Sequence, residues 1–131
     1  MSTRAADGFA ILSGDQLAAY LAIKLKAARL VFGVDVDGVF DSDPKLNREA
    51  RMFSEMTPRF AMRYAMRTTT GAVPDVTGGM AAKISEGVIA AQRGVPTLFV
   101  NLRKKDRLQR AALGQATIMS LIQASGRSQQ L

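Results

Sequence analysis

The chain has 131 residues, of which 47% are hydrophobic and 22% charged, with a formal net charge of +7 and neither cysteine nor histidine. A chain of this length makes one domain that buries roughly two-thirds of its unfolded surface. Without Cys or His, disulfide frameworks, Cys/His zinc sites, thiol nucleophiles and Ser-His triads are excluded, so any chemistry falls to Asp, Glu, Lys, Arg, Ser, Thr or backbone dipoles.

No apolar run approaches the ~20 residues that span a bilayer, and Met1 to Asp7 carry no apolar signal core. A cytoplasmic protein with no membrane partner is expected. The excess of Lys and Arg is compatible with nucleic acid, an anionic surface or phosphate-bearing ligands, and composition does not choose among them.

In chain order, Phe9 to Leu12 reads as a strand, and Ser13-Gly14-Asp15 as a turn into a helix. Leu17, Leu21 and Leu25 recur in steps of four, which predicts a helix with the leucines on one face. Leu30 to Val34 is a second strand, apolar on both faces as covered parallel strands are. Asp35 to Asp43 places four carboxylates in turn chemistry ahead of Pro44. Residues 45–74 keep no sustained period, which predicts short helices and an exposed loop.

Order returns at Asp75-Val76-Thr77-Gly78-Gly79, where Met80, Ile84, Val88 and Ala91 mark a helix ending near Gly94, with Pro96 beyond it. Thr97 to Val100 is a strand. Leu108, Ala111 and Ala112 share a helical face opposite Lys104, Lys105 and Arg110, and Ala116 to Ile122 reads as a last strand. The domain therefore spans 1–122, and 123–131 is expected to be a polar, disordered tail. The alternation predicts an α/β fold, a mainly parallel sheet with helices on both faces, whose ligands sit beyond the carboxyl ends of the strands.

Asp75 to Lys83 sets two glycines at a helix mouth and a lysine one turn inside. Unpaired N–H groups, the helix dipole and Lys83 suit a phosphate there, while the plainer reading is a helix entry with a solvated lysine. Neither a Walker A loop nor a dinucleotide fingerprint is present. Ser13 and Asp15 read either as helix caps or, for Asp15, as a carboxylate that orients a cationic group. Asp35, Asp37, Asp41 and Asp43 offer oxygen ligands to Mg²⁺ or form a plain surface turn, without EF-hand spacing. The basic stretches 45–67 and 103–110 read as solvated faces rather than a nucleic-acid surface, since stacking aromatics are sparse and no RRM or helix-turn-helix signature occurs.

Together the segments Ile11 to Ala22, Val34 to Lys45, Asp75 to Ile84 and Leu98 to Asn101 resemble the amino acid kinase superfamily, most closely isopentenyl phosphate kinases of the archaeal type. The run Asp75-Val-Thr-Gly-Gly-Met discriminates best, because uridylate, glutamate and acetylglutamate kinases end this loop differently. The resemblance covers the carboxy-terminal, nucleotide-binding half of that fold. It implies phosphoryl transfer from ATP, with Mg²⁺, to isopentenyl phosphate, with no metal site built by this chain itself. By that resemblance Lys83 and Asp15 are catalytic, Lys83 stabilising the transferring phosphoryl group and Asp15 orienting lysines. Ser13, Gly14, Asp35, Asp37, Gly38, Asp43, Lys45, Thr77, Gly78, Gly79 and Lys83 would border the nucleotide.

Gly33 departs from the Thr or Ser common in relatives, Gln16 from the second Asp that many have, and Leu102 from the Gly that usually follows the Asn. Family members also bring an amino-terminal half with a Gly-rich loop, a lysine, the acceptor pocket and a catalytic histidine. A matching amino-terminal half or a homodimer is accordingly the expected partner. A uridylate or small-acid kinase, or a non-catalytic basic nucleic-acid module, are the alternative readings.

Overall fold

The computed structural model describes residues 13–69 and 79–125, so the expected strand at Phe9 to Leu12 lies outside the described residues. Ser13 opens α1 (Gly14–Lys24) through a capping box. Its hydroxyl accepts from the Gln16 N–H at 3.1 Å, and the Gln16 side-chain carbonyl accepts from the Ser13 N–H at 3.0 Å. The leucine stripe faces outward. Leu17, Leu21 and Leu25 are 45%, 44% and 74% exposed, while Ala19 and Ala22 are buried. α1 packs on α3 (Met80–Gln92) through this alanine face, whose small side chains let the two helices approach and turn the leucines outward.

β1 (Leu30–Val34) and β3 (Thr97–Asn101) pair in parallel, Leu30 opposite Thr97 and Val34 opposite Asn101. Every residue of β3 is buried, as a central strand requires. Phe99 and Thr97 meet α3, and Leu98 and Val100 meet Ala111 of α4 (Arg107–Ala112), so helices cover both faces of the sheet. Phe32 stacks on Phe99 with ring centroids 5.7 Å apart. In α4 only Ala111 is buried. Leu108 is half-exposed, because the short helix sits on the sheet through that one small side chain.

α3 ends as its sequence predicts. The Gly94 N–H donates to Ala91 and the Val95 N–H to Ala90, both at 3.0 Å, with Gly94 at φ 95°, a Schellman arrangement that glycine accommodates without strain. Gly87 lets the same helix lie close on the sheet, since a Cβ there would stand 2.8 Å from Thr97 Cγ2.

The expected last strand shrinks to β4 (Ser120–Ile122), which runs antiparallel to β3 and parallel to β2 (Glu55–Met56). The sheet order is β1-β3-β4-β2, with two of its three pairings parallel. Beyond β4, the Gln123 N–H donates to the Met56 carbonyl and the Ser125 N–H to the Ala91 carbonyl, both at 2.8 Å, so these first residues of the expected tail are anchored.

Residues 45–69 form more regular structure than their pattern suggests. Val39 to Asp41 and Arg51 to Phe53 face each other as a hairpin, and Pro58–Thr69 is one continuous helix, α2. The Thr57 hydroxyl accepts from the Phe60 N–H at 3.1 Å and Pro58 occupies the first helical position, so Thr-Pro was the available start signal.

Candidate functional site

β1 and β3 are parallel, and α1 and α3 each run back along the sheet before the strand that follows them. The amino-termini of both helices therefore lie at the edge where β1 and β3 end, together with the loop leaving β1. Residues 68 apart in sequence meet there: Lys83 Nζ stands 3.5 Å from Asp15 Oδ2, each side chain about three-quarters buried. Ser13, not Asp15, is the cap of α1, which leaves the Asp15 carboxylate to the lysine.

Gly79 precedes α3 at φ 83°, and among the described residues no side chain caps the helix. The Lys83 N–H closes onto the Gly79 carbonyl at 3.0 Å, so the N–H groups of Met80, Ala81 and Ala82 have no partner within the helix. A Cβ at Gly79 would lie 3.9 Å from Lys83 Nζ, which places the ammonium group beside the helix mouth. Backbone donors, dipole and cation thus converge as an anion site does. Thr77 and Gly78 lie outside the described residues.

Burial of Glu86 raises its carboxyl above the usual range, and the negative charge of Asp15 adds to that shift.

The loop after β1 is held from several directions. Lys45 Nζ donates to Asp35 Oδ2 at 2.9 Å. Asp37 Oδ1 accepts from Asn101 Nδ2 at 3.1 Å and from the guanidinium of Arg107, and Asn101 Oδ1 accepts in turn from the Arg103 N–H at 2.8 Å. Arg107 had read as one of the solvated basic residues on the 103–110 stretch. It is instead 15% exposed and bound to Asp37, 70 residues away. Asp43 Oδ1 accepts from the Lys45 N–H at 2.9 Å, and Asp41 Oδ1 from the Arg51 N–H at 2.9 Å, so both form the turn and hairpin. Gly38 is needed for close approach, since a Cβ would stand 2.3 Å from Ser120 Oγ, which itself accepts from the Val39 N–H at 2.8 Å.

Two of the residues that depart from the family pattern, Gly33 and Leu102, touch each other. A Cβ at Gly33 would fall 2.3 Å from Leu102 Cγ, so the leucine side chain occupies the space a larger residue at 33 would take.

The hydrogen bond from Lys45 is the main cause holding the Asp35 carboxyl below its ordinary value. For Asp37, burial alone would raise it, but the bonds from Asn101 and Arg107 and the charges of Arg107 and Lys104 outweigh that and lower it. Groups depressed in the folded state contribute stability above the ordinary aspartate value of 3.8, and this is lost as pH falls through the depressed folded values. Urea midpoints at pH 7 and pH 3 are expected to show a smaller acid-induced drop in Asp37→Asn than in the unsubstituted chain. Equal drops would mean that the Asp37 pairing adds nothing to folding.

The fold and this edge define an α/β protein with a partly buried Lys-Asp pair at a helix mouth. The profile of the amino acid kinase family matches residues 2–101. The chain is 34% identical over 107 residues to isopentenyl phosphate kinase of Methanothermobacter thermautotrophicus, covering 82% of this chain and 39% of that protein. It is 30% identical over 111 residues to glutamate 5-kinase of Clostridium tetani, covering 84% and 41%. A solved isopentenyl phosphate kinase superposes with a TM-score of 0.62 at 28% identity, over 85% of this chain and 37% of that one. The chain belongs to the amino acid kinase family, whose relatives here are kinases, and it spans about two-fifths of the length of the curated relatives it matches. Among the described residues no helix is long and apolar enough to cross a membrane.

Proposed function

We propose that the chain is the nucleotide side of an ATP-dependent phosphotransferase whose acceptor is isopentenyl phosphate, working in the cytoplasm with an amino-terminal half or a second copy that completes the acceptor pocket. The observation that carries this reading is the Lys83 ammonium held by Asp15 at the mouth of α3. Phosphoryl transfer requires positioning and charge stabilisation more than covalent help from the protein. A terminal phosphoryl group of ATP at this mouth would meet the first-turn N–H groups of α3 and the lysine, while Asp15 keeps the lysine directed. The bond from the γ-phosphorus to the β,γ-bridging oxygen breaks, a bond to an acceptor phosphate oxygen forms, and ADP leaves with the electron pair. Asp35 Oδ1 is buried without a hydrogen-bond partner among the described residues, an acceptor suited to a nucleotide hydroxyl or amino group.

Mg²⁺ supplies neutralisation of the β- and γ-phosphates when bound. The described residues build no cage for it: no group of three or more Asp and Glu side chains converges, and Asp35 and Asp37 already pair with Lys45 and Arg107. The ion fits this protein as part of the nucleotide, held by phosphate oxygens and water. The similarity to glutamate 5-kinase favours a small acid as the second acceptor reading.

Titration of the chain with Mg-ATP, and separately with single- and double-stranded nucleic acid at low and near-physiological salt, tests the proposal. Saturable ATP binding is expected, weakened roughly 10- to 100-fold in Lys83→Ala because a charge-assisted contact of about 1.5–3 kcal/mol is removed. ATP binding indifferent to Lys83→Ala, or nucleic-acid binding with a steep salt slope in its place, would overturn it.

A further inference from the structure

Helix α4 is tied to the two ends of β1. Arg29, the residue before β1, donates from Nη1 to the Ala112 carbonyl at 2.9 Å, and a Cβ at Gly114 would stand 2.9 Å from its Nη2, so its guanidinium closes the carboxy-terminal end of α4. At the other end the Arg107 guanidinium donates to Asp37 Oδ1, in the loop that leaves β1. α4 therefore runs back along the strand, from the loop after it to the residue before it. Ala111 is the one residue that α4 buries, so apolar contact contributes little to where the helix sits, and the two arginines set it.

The sequence at the start of α4 does not favour that start by itself. Asp106 stands in the left-handed region at φ 72°, which is costly for a residue with a Cβ, and its carboxylate makes no capping hydrogen bond. Arg107 then puts a cation in the first turn, where a helix favours an anion. Both features are compensated by one contact, that of Arg107 with Asp37.

The loop after β1 has an apolar side and a polar side. Val36 and Val39 are buried in the core beneath it, which leaves Asp35 and Asp37 as its polar groups. The tie from Lys45 to Asp35 joins two half-exposed side chains, and such pairs hold weakly. Arg107 is largely buried, and its charge-assisted bond is of the stronger kind. Asn101 Nδ2 donates to the same oxygen, Asp37 Oδ1, so two donors from the β3–α4 side fix one orientation of the carboxylate and leave Oδ2 outside both bonds.

We propose that Arg107 is a positioning residue for nucleotide binding. Acting through Asp37, it holds the Asp35–Gly38 loop so that Asp35 Oδ1, the buried acceptor without a partner among the described residues, is presented to the nucleotide. The proposal rests on the nucleotide reading given above, and it assigns Arg107 no contact with the nucleotide itself.

Mg-ATP affinity by calorimetry and amide hydrogen exchange by NMR are measured on the full chain, at a temperature where denaturation curves show each variant folded. Arg107→Met is expected to weaken ATP binding roughly 10-fold and to speed exchange at residues 36–38 by a similar factor, with β3 unaffected. Arg107→Gln takes its place if Arg107→Met does not fold. Arg107→Lys, which restores the charge and one donor, should recover most of the affinity. In an Asp37→Asn background Arg107→Met should add little, because the contact is already weakened. Arg29→Met frees the other end of α4 without touching the loop, so it should cost stability and leave both readouts unchanged. ATP affinity unchanged in the folded Arg107 variants, losses that add fully to that of Asp37→Asn, no recovery with lysine, or the same losses in Arg29→Met would each overturn this assignment and leave the nucleotide reading standing. Absence of ATP binding by the unsubstituted chain would overturn that reading, and this one with it.

Discussion

Turnover of isopentenyl phosphate by the 131-residue chain tested alone is expected to be undetectable, and to appear when the amino-terminal portion of an isopentenyl phosphate kinase is supplied in trans. On the proposed reading Lys83, held by Asp15 at the mouth of α3, would stabilise charge on one side of the transferring phosphoryl group. In-line attack also requires the acceptor held at near-attack distance, and that positioning is worth about 7–11 kcal/mol of the barrier. The chain matches only 39% of the relative that performs this chemistry as a whole protein. Coupled-assay rates for the chain, the supplied portion and the mixture check the expectation. Turnover by the chain alone that disappears in both Asp15→Asn and Lys83→Ala would place the acceptor site within these residues and refute the need for a second part.

The second large effect is structural. Gly38→Ala is expected to lower the stability of the chain by about 3 kcal/mol, combining overpacking with disruption of a buried hydrogen bond. The new methyl group would sit 2.3 Å from Ser120 Oγ and 2.9 Å from Met52 Sδ. Ser120 is fully buried and cannot simply turn away, because its hydroxyl is the acceptor for the Val39 N–H. The loop would have to leave β4, and Asp35 and Asp37 would move with it. Chemical denaturation of Gly38→Ala, Ser120→Ala and the double variant measures this. The double variant should lose less than the two single losses added together, since removing the hydroxyl relieves the clash. Strict additivity would show that the two sites do not communicate.

Local structure was largely legible where signals are short-range. Ser13 marks the start of α1, Gly94 and Pro96 the end of α3, and the apolar runs at 30–34 and 97–100 became the paired parallel strands. Tertiary packing decided the rest. The leucines of α1 keep an amphipathic rhythm, but the interface with α3 selected alanines, which a periodicity of apolar residues does not distinguish from leucines. α2 hid behind interleaved Arg and Met, its Thr-Pro start outweighed by the lack of a clean period. Three residues of β4 carry no sign of direction, so its antiparallel pairing was invisible. The Lys83–Asp15 contact came within reach through family resemblance, because spacing does not join residues 68 apart. Arg107 carried no such cue, and its contact with Asp37 belongs to the folded chain alone.

The contact between Gly33 and Leu102 makes the order of substitutions matter. Introducing Thr at 33 first drives its side chain into the leucine, whereas replacing the half-exposed Leu102 by Gly first clears the space with little packing lost. The two routes end at the same double variant but pass through intermediates of different stability. A single-site scan at position 33 consequently measures the leucine as much as the glycine, and tolerance at that position has meaning only with the residue at 102 specified.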